Sequence, residues 1–139
     1  MSTLASPVAL AFVAMLAWGL WTALADAATE SVPPEVAMIV SYVVSIAVAT
    51  AYVVGADRPV ELAGQGVALA AVAGVFAGIG AIAFYAALAG GRTGVVTTIS
   101  AMYFVVAGLL GVIFLGDSLG PRQVVGIGLA AVAVALLAT

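Results

Sequence analysis

The chain has 139 residues, of which 66% are hydrophobic and only 6% are charged, and its formal net charge at pH 7 is −3. A soluble domain of this size could not enclose so large an apolar fraction, so the composition excludes a soluble globular protein and predicts an integral membrane protein. With three arginines, no lysine and a pI ≈ 4.3, nucleic-acid binding is not expected either.

Five apolar windows lie between the charged positions, each near the roughly 20 residues that a helix needs to cross about 30 Å of hydrocarbon. They cover residues 4–25, 36–54, 66–89, 95–115 and 121–138. The windows are continuously apolar and rich in alanine, without the alternation of β-barrel strands. The predicted fold class is therefore all-α, with five transmembrane helices in one polytopic membrane domain over residues 1–139.

The first window could be mistaken for a signal peptide, because "ALADAA" resembles a signal-peptidase site. No Lys or Arg precedes the apolar run, and the run is longer than the apolar core of a signal peptide. We therefore expect a true first helix. Its Trp18, Trp21 and Thr22 either turn toward a shared interior or, in the case of the tryptophans, anchor the helix at the membrane interface or face the lipid.

The second, third and fourth windows each place small or polar residues on one helical face, given a rotation of about 100° per residue. These faces consist of Ser41, Ser45 and Tyr52; Gly74, Gly78, Ala81 and Tyr85; and Thr93, Thr97, Ser100, Phe104, Ala107, Gly108 and Gly111. Close helix packing explains any one face, because small residues let backbones approach and hydroxyls bond to nearby carbonyls. Three such faces on consecutive helices favour a shared interior.

The segment "FLGDSLGPRQVVGIG" separates the fourth and fifth windows. Gly116 and Gly120 bracket a turn, and Pro121 is well suited to be the first residue of the last helix. Asp117 and Arg122 then mark a hairpin at the membrane surface, where an exposed ion pair would contribute no more than about 1 kcal/mol.

Several kinds of chemistry are not expected in this chain. It contains neither cysteine nor histidine, and its six acidic residues all lie outside the middle of the windows. These absences remove the thiolate nucleophile, the commonest general base and the commonest metal ligand, and no phosphate-binding loop is recognisable. We therefore predict no catalytic residue, no metal site, no cofactor and no enzymatic activity.

Residues 81–134, "AIAFYAALAGGRTGVVTTISAMYFVVAGLLGVIFLGDSLGPRQVVGIGLAAVAV", resemble the C-terminal three helices of an EamA domain in the drug/metabolite transporter superfamily. The matching positions are Phe84, Tyr85, Ala87, Leu88, Gly91, Val95, Val96, Ser100, Tyr103, Gly111, Phe114, Gly116, Asp117, Gln123 and Gly126. Upstream, "AMLAWGLWTALADAA" is similar to the family's first helix, with its Trp-Gly pair at Trp18 and Gly19. The resemblance therefore extends over nearly the whole chain.

Two departures from the family pattern limit what the resemblance implies. Thr98 and Phe104 stand where the family often has prolines, so a kinked fourth helix does not follow. Asp117 replaces the usual glutamate at the end of that helix.

The usual family member has about ten helices in two five-helix repeats of opposite orientation, with the substrate held between the halves. By resemblance, the chain supplies one repeat and works as a dimer, with itself or with a second half-size chain. The function implied is transport of small organic molecules across the cell membrane by alternating access. The alternative is a non-transporting membrane subunit that packs against a partner membrane protein.

Orientation in the membrane is weakly specified by the basic residues. Arg58 and Arg122 share the side of the N-terminus, whereas Arg92 lies on the other side. Because this bias is so small, dual topology and an antiparallel homodimer are plausible expectations.

The residues predicted to line the substrate pathway are Trp18, Ser41, Ser45, Tyr85, Thr97, Ser100 and Tyr103. Those predicted to serve helix packing or the dimer are Gly74, Gly78, Gly108, Gly111 and Gly126. The pathway residues offer hydrogen bonds without a fixed charge, which suits a neutral or zwitterionic solute, or an aromatic-stacked one if Trp18, Trp21 and Tyr103 also turn inward. The first window carries no acid before Asp26, so proton antiport through a membrane-embedded glutamate, as in the small multidrug exporters of the superfamily, is not expected.

Overall fold

The computed structural model describes residues 6–57, 59 and 63–137, and the side chain of Leu137 is not among the described ones. Every regular element in these ranges is helical, which confirms the predicted all-α class. The elements are α1 (Pro7–Thr29), α2 (Pro34–Gly55), α3 (Gly64–Gly90), α4 (Thr93–Ala101), α5 (Tyr103–Leu110), a π-helical turn (Gly111–Leu115) and α6 (Pro121–Leu137). Arg58, one of the three basic residues, lies outside the described residues.

Within the described residues, four segments are long and apolar enough to cross a membrane. They are Pro7–Thr29, Pro34–Gly55, Gly64–Gly90 and Thr93–Leu115, with mean hydropathies of 2.0, 2.1, 2.4 and 2.2. A shorter apolar helix, Pro121–Leu136, follows them. These lengths and compositions are those of a multi-pass membrane protein with five helical segments.

Local sequence explains where the first two helices begin. The Ala9 N–H donates to the Ser6 Oγ at 3.2 Å, and Pro7 occupies the first helical position. Ser is a favourable N-cap and Pro is well tolerated at the next position. Pro34 likewise occupies the first position of α2, where Pro33 precedes it without a side-chain cap.

The chain divides into two compact units, Met1–Gly90 and Gly91–Thr139. Unit 1 contains α1, α2 and α3. Its buried residues are Thr22 and Ala25 in α1, Ala37 in α2, and Ala81, Tyr85 and Leu88 in α3. These positions lie in the last turns of α1, the first turns of α2 and the last turns of α3, so the core of unit 1 sits at the end that holds the α1–α2 turn.

The opposite end of unit 1 is open along one face of α3. On an ideal helix Gly74, Gly78, Ala81 and Tyr85 share that face. Ala81 and Tyr85 are buried, whereas no described atom lies within 4 Å of the position that a Cβ would take at Gly74 or Gly78. The same face is therefore packed near its end and uncovered two to three turns earlier.

In unit 2, the predicted single helix over residues 95–115 is interrupted at Met102. The Met102 N–H donates to the Ile99 carbonyl at 3.0 Å, and the Val105 N–H donates to the Met102 carbonyl at 2.9 Å. Bonds of this i to i−3 type tighten the helix locally. The interruption involves no proline, so the fourth span is segmented for a reason that differs from a proline kink.

The fourth span ends in a π-helical turn that the sequence did not predict. Gly116 follows it in the left-handed conformation with φ of 75°, which stops the helix, and the Asp117 N–H donates to the Gly111 carbonyl at 3.1 Å. The Asp117 carboxylate lies against the bare backbone of Gly111, because a Cβ there would stand 2.6 Å from Oδ2. Among the described residues, Asp117 forms no ion pair with Arg122.

The last helix begins at Pro121, as predicted. The Gly120 N–H donates to the Gln123 Oε1 at 2.6 Å, so the Gln123 side chain folds back over the start of α6. This is the reciprocal half of a capping box, in which the third helical residue satisfies the backbone N–H before the helix. The Asp117 and Gln123 contacts together make the hairpin a structural connection.

Candidate functional site

Three aromatic rings meet in the packed end of unit 1. The Trp21 and Phe84 rings are stacked, with centroids 5.5 Å apart and an interplanar angle of 14°. Tyr85 meets both edge-on, at 5.8 Å and 70° from Trp21 and at 6.4 Å and 84° from Phe84. All three separations lie in the favourable range for aromatic pairs. We call these three residues the aromatic cluster.

Trp21 also joins the cluster to α2. Its indole Nε1–H donates to the Ser41 Oγ at 2.9 Å. One side chain of α1 therefore contacts α2 through a hydrogen bond and α3 through two rings. This arrangement fixes the position of the indole relative to all three helices of unit 1.

Tyr85 is 1% exposed, yet its hydroxyl makes no hydrogen bond to another described residue. No completely enclosed polar side-chain atom in the described chain lacks a hydrogen bond. The small accessible surface of Tyr85 must therefore include its hydroxyl oxygen. The phenol of Tyr42, which is 39% exposed, lies near enough to interact with it electrostatically.

Most other hydroxyls within the helices are bonded to their own backbone. These bonds are Thr22 to the Trp18 carbonyl (2.9 Å), Ser45 to Ser41 (2.9 Å), Thr50 to Ile46 (2.8 Å), Thr97 to Thr93 (2.6 Å) and Thr98 to Gly94 (2.6 Å). A carbonyl oxygen can only accept, so each of these hydroxyls donates its single proton there. Ser41 is different, because its hydroxyl accepts from Trp21 and its proton has no acceptor among the described residues.

Of the predicted pathway residues, Ser41 and Tyr85 are brought together against Trp21. Trp18, 59% exposed, and the exposed Ser45 also belong to unit 1 but lie outside the aromatic cluster. By helical geometry, Trp18 lies about one turn from Thr22 on the same face of α1, and Ser45 lies about one turn from Ser41 on the same face of α2. Both lie about one turn from the aromatic cluster, toward the open end of unit 1. We call the surface bordered by Trp18, Ser45, Gly74 and Gly78 the open face of unit 1.

The remaining predicted pathway residues belong to unit 2. Thr97 is half-buried and bonded to the Thr93 carbonyl, Ser100 is exposed, and Tyr103 is 59% exposed. No cluster within unit 2 resembles the aromatic cluster of unit 1 among the described residues.

The predicted packing glycines fall into two groups. In unit 2, a Cβ at Gly108 would stand 4.0 Å from the Ile127 Cδ1, so this glycine lets α5 approach α6, and Gly111 is buried beneath Asp117. At Gly74, Gly78 and Gly126 no described atom lies within 4 Å of the Cβ position. These three glycines therefore make no close contact within the described chain.

Trp21 and Phe84 were not among the predicted site residues. The sequence left Trp21 undecided between interior and interface, and Phe84 entered only as a family match. The available signal was spacing, since Trp21 lies four residues before Ala25 and on the side of Thr22, next to the small residues that become buried. In the described residues no group of three or more His, Cys, Asp or Glu side chains could hold a metal ion.

Comparison with known families now adds to this geometry. The model of the EamA-like transporter family matches residues 5–139, which include both units and all five helical segments. The chain belongs to the EamA-like transporter family. The match confirms the resemblance drawn from the motifs, and it makes the chain a membrane protein of a family of transporters. No curated protein and no solved structure matches the chain.

Proposed function

We propose that the chain is one half of a dimeric carrier that moves small organic molecules across the cell membrane by alternating access. The observation that carries the proposal is the family match over residues 5–139, which covers five helical segments, the number in one repeat of a ten-helix carrier. In such carriers the substrate lies between two repeats near the membrane midplane. A second copy of the chain would supply the other repeat.

The arrangement of unit 1 supports a carrier mechanism. Its helices are packed around Tyr85 at one end, whereas the face of α3 is uncovered at Gly74 and Gly78. A carrier needs a cavity that opens toward one side of the membrane and is closed toward the other. The aromatic cluster would form the closed base of this cavity, and the open face of unit 1 would form its wall.

The polar groups of the open face support the dimer. Ser45 is exposed within one transmembrane segment, and Gly74 is exposed on a neighbouring one. Small residues let a second helix approach closely in lipid, where packing and not water exclusion drives association. The weak basic bias makes the antiparallel arrangement the favoured one, because it reproduces the inverted repeats of the larger family members.

The charges favour a neutral or zwitterionic solute. The helices of unit 1 carry no arginine or lysine, so a strongly anionic solute would meet no counter-ion there. The first helix carries no acid before Asp26, near its end, so facilitated exchange or uniport is proposed instead of proton antiport through α1.

The experiment is a solute screen followed by flux measurement. Purified protein is tested for thermal stabilisation by neutral, zwitterionic, cationic and anionic metabolites. The uptake of each stabilising solute is then measured in proteoliposomes whose only protein is this chain. Saturable uptake above that of protein-free liposomes is expected for a neutral or zwitterionic solute. A subunit that only packs against a partner would produce no flux with any solute.

A further inference from the structure

We infer that the hydroxyls of Ser41 and Tyr85 form the recognition pair of the substrate site, and that they bind a neutral planar solute whose edge carries a hydrogen-bond acceptor, such as an amide or lactam carbonyl. This inference rests on the proposed transport function and names the substrate class of the same site. Ser41 and Tyr85 come from different helices and both lie against the indole of Trp21.

The first step is the inventory of hydroxyl protons. In unit 1, the protons of Thr22, Ser45 and Thr50 are committed to backbone carbonyls of their own helices. These oxygens can only accept a hydrogen bond from a solute. Ser41 and Tyr85 keep protons that no described residue accepts, so they can donate.

The second step is the burial of Tyr85, whose hydroxyl has no hydrogen-bond partner among the described residues. It is 1% exposed, and a polar group in such surroundings is stabilised by about 0.5–1.5 kcal/mol when a partner is present. The oxygen is not completely enclosed, so it lies at the edge of the surface that a solute can contact.

The third step concerns shape. Trp21 and Phe84 are stacked and both are only half-buried, so they offer flat apolar surface beside the two hydroxyls. A flat ring fits beside such side chains, because stacking on aromatic surface favours planar groups.

The fourth step concerns charge. An anionic solute would match the two donors but would find no basic side chain in α1, α2 or α3. An ammonium group carries only donors, so it would leave the protons of both Ser41 and Tyr85 without an acceptor. A neutral acceptor is therefore the best complement to this pair of hydroxyls.

The test uses three probes that share a phenyl ring, namely benzamide, benzoate and benzylammonium. The full chain is purified with the substitution Trp18→Phe, so that Trp21 is the sole indole, and its fluorescence is titrated with each probe. Benzamide is expected to quench it saturably. In the same background, Ser41→Ala and Tyr85→Phe should each weaken benzamide binding about two- to twelvefold, the equivalent of one hydrogen bond.

Thr50→Val is the matched control, because its hydroxyl lies on the same helix as Ser41 but bonds to the Ile46 carbonyl. It should bind benzamide like its parent. Ser41→Thr keeps the hydroxyl and should retain binding. Tyr85→Phe keeps the ring contacts and removes only the hydroxyl, so weaker binding by this variant reflects the lost hydrogen bond and not a folding defect. Far-ultraviolet circular dichroism of each variant checks that the helices are intact.

The inference is overturned if benzoate or benzylammonium binds as tightly as benzamide, if no probe quenches Trp21 saturably, or if both hydroxyl deletions bind like the parent. Transport is read separately in proteoliposomes. Flux of a solute without benzamide binding refutes the recognition pair and leaves the carrier, whereas benzamide binding with no flux of any solute supports the pair and refutes the carrier.

Discussion

At the scale of single residues, the Trp21 side chain accounts for much of the cohesion of unit 1. Its indole N–H bonds to Ser41, and its ring contacts Phe84 and Tyr85. Few other side chains can do this, because the described core of the chain consists mostly of alanines and one leucine. A hydrogen bond in a membrane protein contributes about 0.6 kcal/mol on average, so the rings and the bond must act together.

The substitution Ser41→Ala tests this contact. It leaves the indole N–H without its partner, so we expect the free energy of unfolding to fall by about 0.5–1.5 kcal/mol and the Trp21 emission to shift. Ser45→Ala is the control, because that hydroxyl returns to the Ser41 carbonyl of its own helix and should matter less. The measurement is denaturation in detergent micelles, and equal losses in the two variants would contradict the assigned role of the bond.

Gly111 and Asp117 provide a second test at the residue scale. A methyl group at Gly111 would stand 2.6 Å from the Asp117 Oδ2, so Gly111→Ala must displace the carboxylate. Gly126→Ala meets no atom within 4 Å and should stabilise α6 by about 0.5–1 kcal/mol through helix propensity alone. We expect Gly111→Ala to lack this gain, and to recover it when Asp117 is replaced by Ala.

A double-mutant cycle on thermal unfolding measures that dependence. The expected coupling between positions 111 and 117 is at least about 0.5 kcal/mol, as for residues in contact. Additive effects would mean that the carboxylate does not rest on Gly111.

At the scale of helices, α3 combines two surfaces on one face. Ala81 and Tyr85 are packed, and Gly74 and Gly78 are uncovered. Packing within unit 1 does not use the glycines, so they are free to contact a second copy. One face of α3 therefore packs within unit 1 at Ala81 and Tyr85 and, in the proposed dimer, against the second copy at Gly74 and Gly78.

The substitution Gly78→Leu tests the dimer contact. Because the position is uncovered within the described chain, the single chain should still fold, whereas the dimer should dissociate. Ala83→Leu is the matched control, since Ala83 is exposed on the opposite face of α3. Native mass spectrometry in mild detergent should find monomer for Gly78→Leu and dimer for Ala83→Leu, and dimers of equal abundance in both would contradict the proposed contact.

The sequence alone could predict the helices but not their internal breaks or their packing. Long apolar windows define spans, and Pro34 and Pro121 mark helix starts. The interruption at Met102 carries no proline or other strong signal, so it could not be predicted. Trp21 and Trp18 are one turn apart on one side of α1, but Trp21 is half-buried whereas Trp18 is exposed. This difference depends on where along their length the helices of unit 1 separate, which is a tertiary property.

The candidate site was predictable only in part for the same reason. Ser41 and Tyr85 could be selected by their polar faces, but the sequence could not tell which hydroxyl bonds to its own backbone. In the structure the Ser45 proton bonds to a carbonyl, whereas the Ser41 oxygen accepts from Trp21. That distinction requires knowing which helix lies opposite each side chain.

At the scale of the whole molecule, the orientation of the chain decides which dimer can form. The basic residues that flank the spans hardly favour one side, so we expect both orientations in the same membrane. Reporter fusions to the C-terminus that are active on opposite sides of the membrane measure this directly. Activity from both reporters is expected, and activity on one side only would contradict an antiparallel homodimer.

Adding basic residues should then change function as well as orientation. Replacement of the exposed Gly91 by Lys, beside Arg92, balances the basic residues on the two sides and should leave the population mixed. Replacement of the exposed Ser118 by Lys, on the side of Arg122, should drive the chain into one orientation and abolish transport. Unchanged transport in a population of uniform orientation would refute the antiparallel carrier.

The central claim is that this chain by itself carries a solute by alternating access. Counterflow in proteoliposomes tests it most directly, because an alternating-access carrier exchanges labelled solute outside for unlabelled solute inside without any other driving force. We predict transient accumulation of label that requires internal solute and falls with Tyr85→Phe. Absence of counterflow for every solute that stabilises the purified protein would contradict the account.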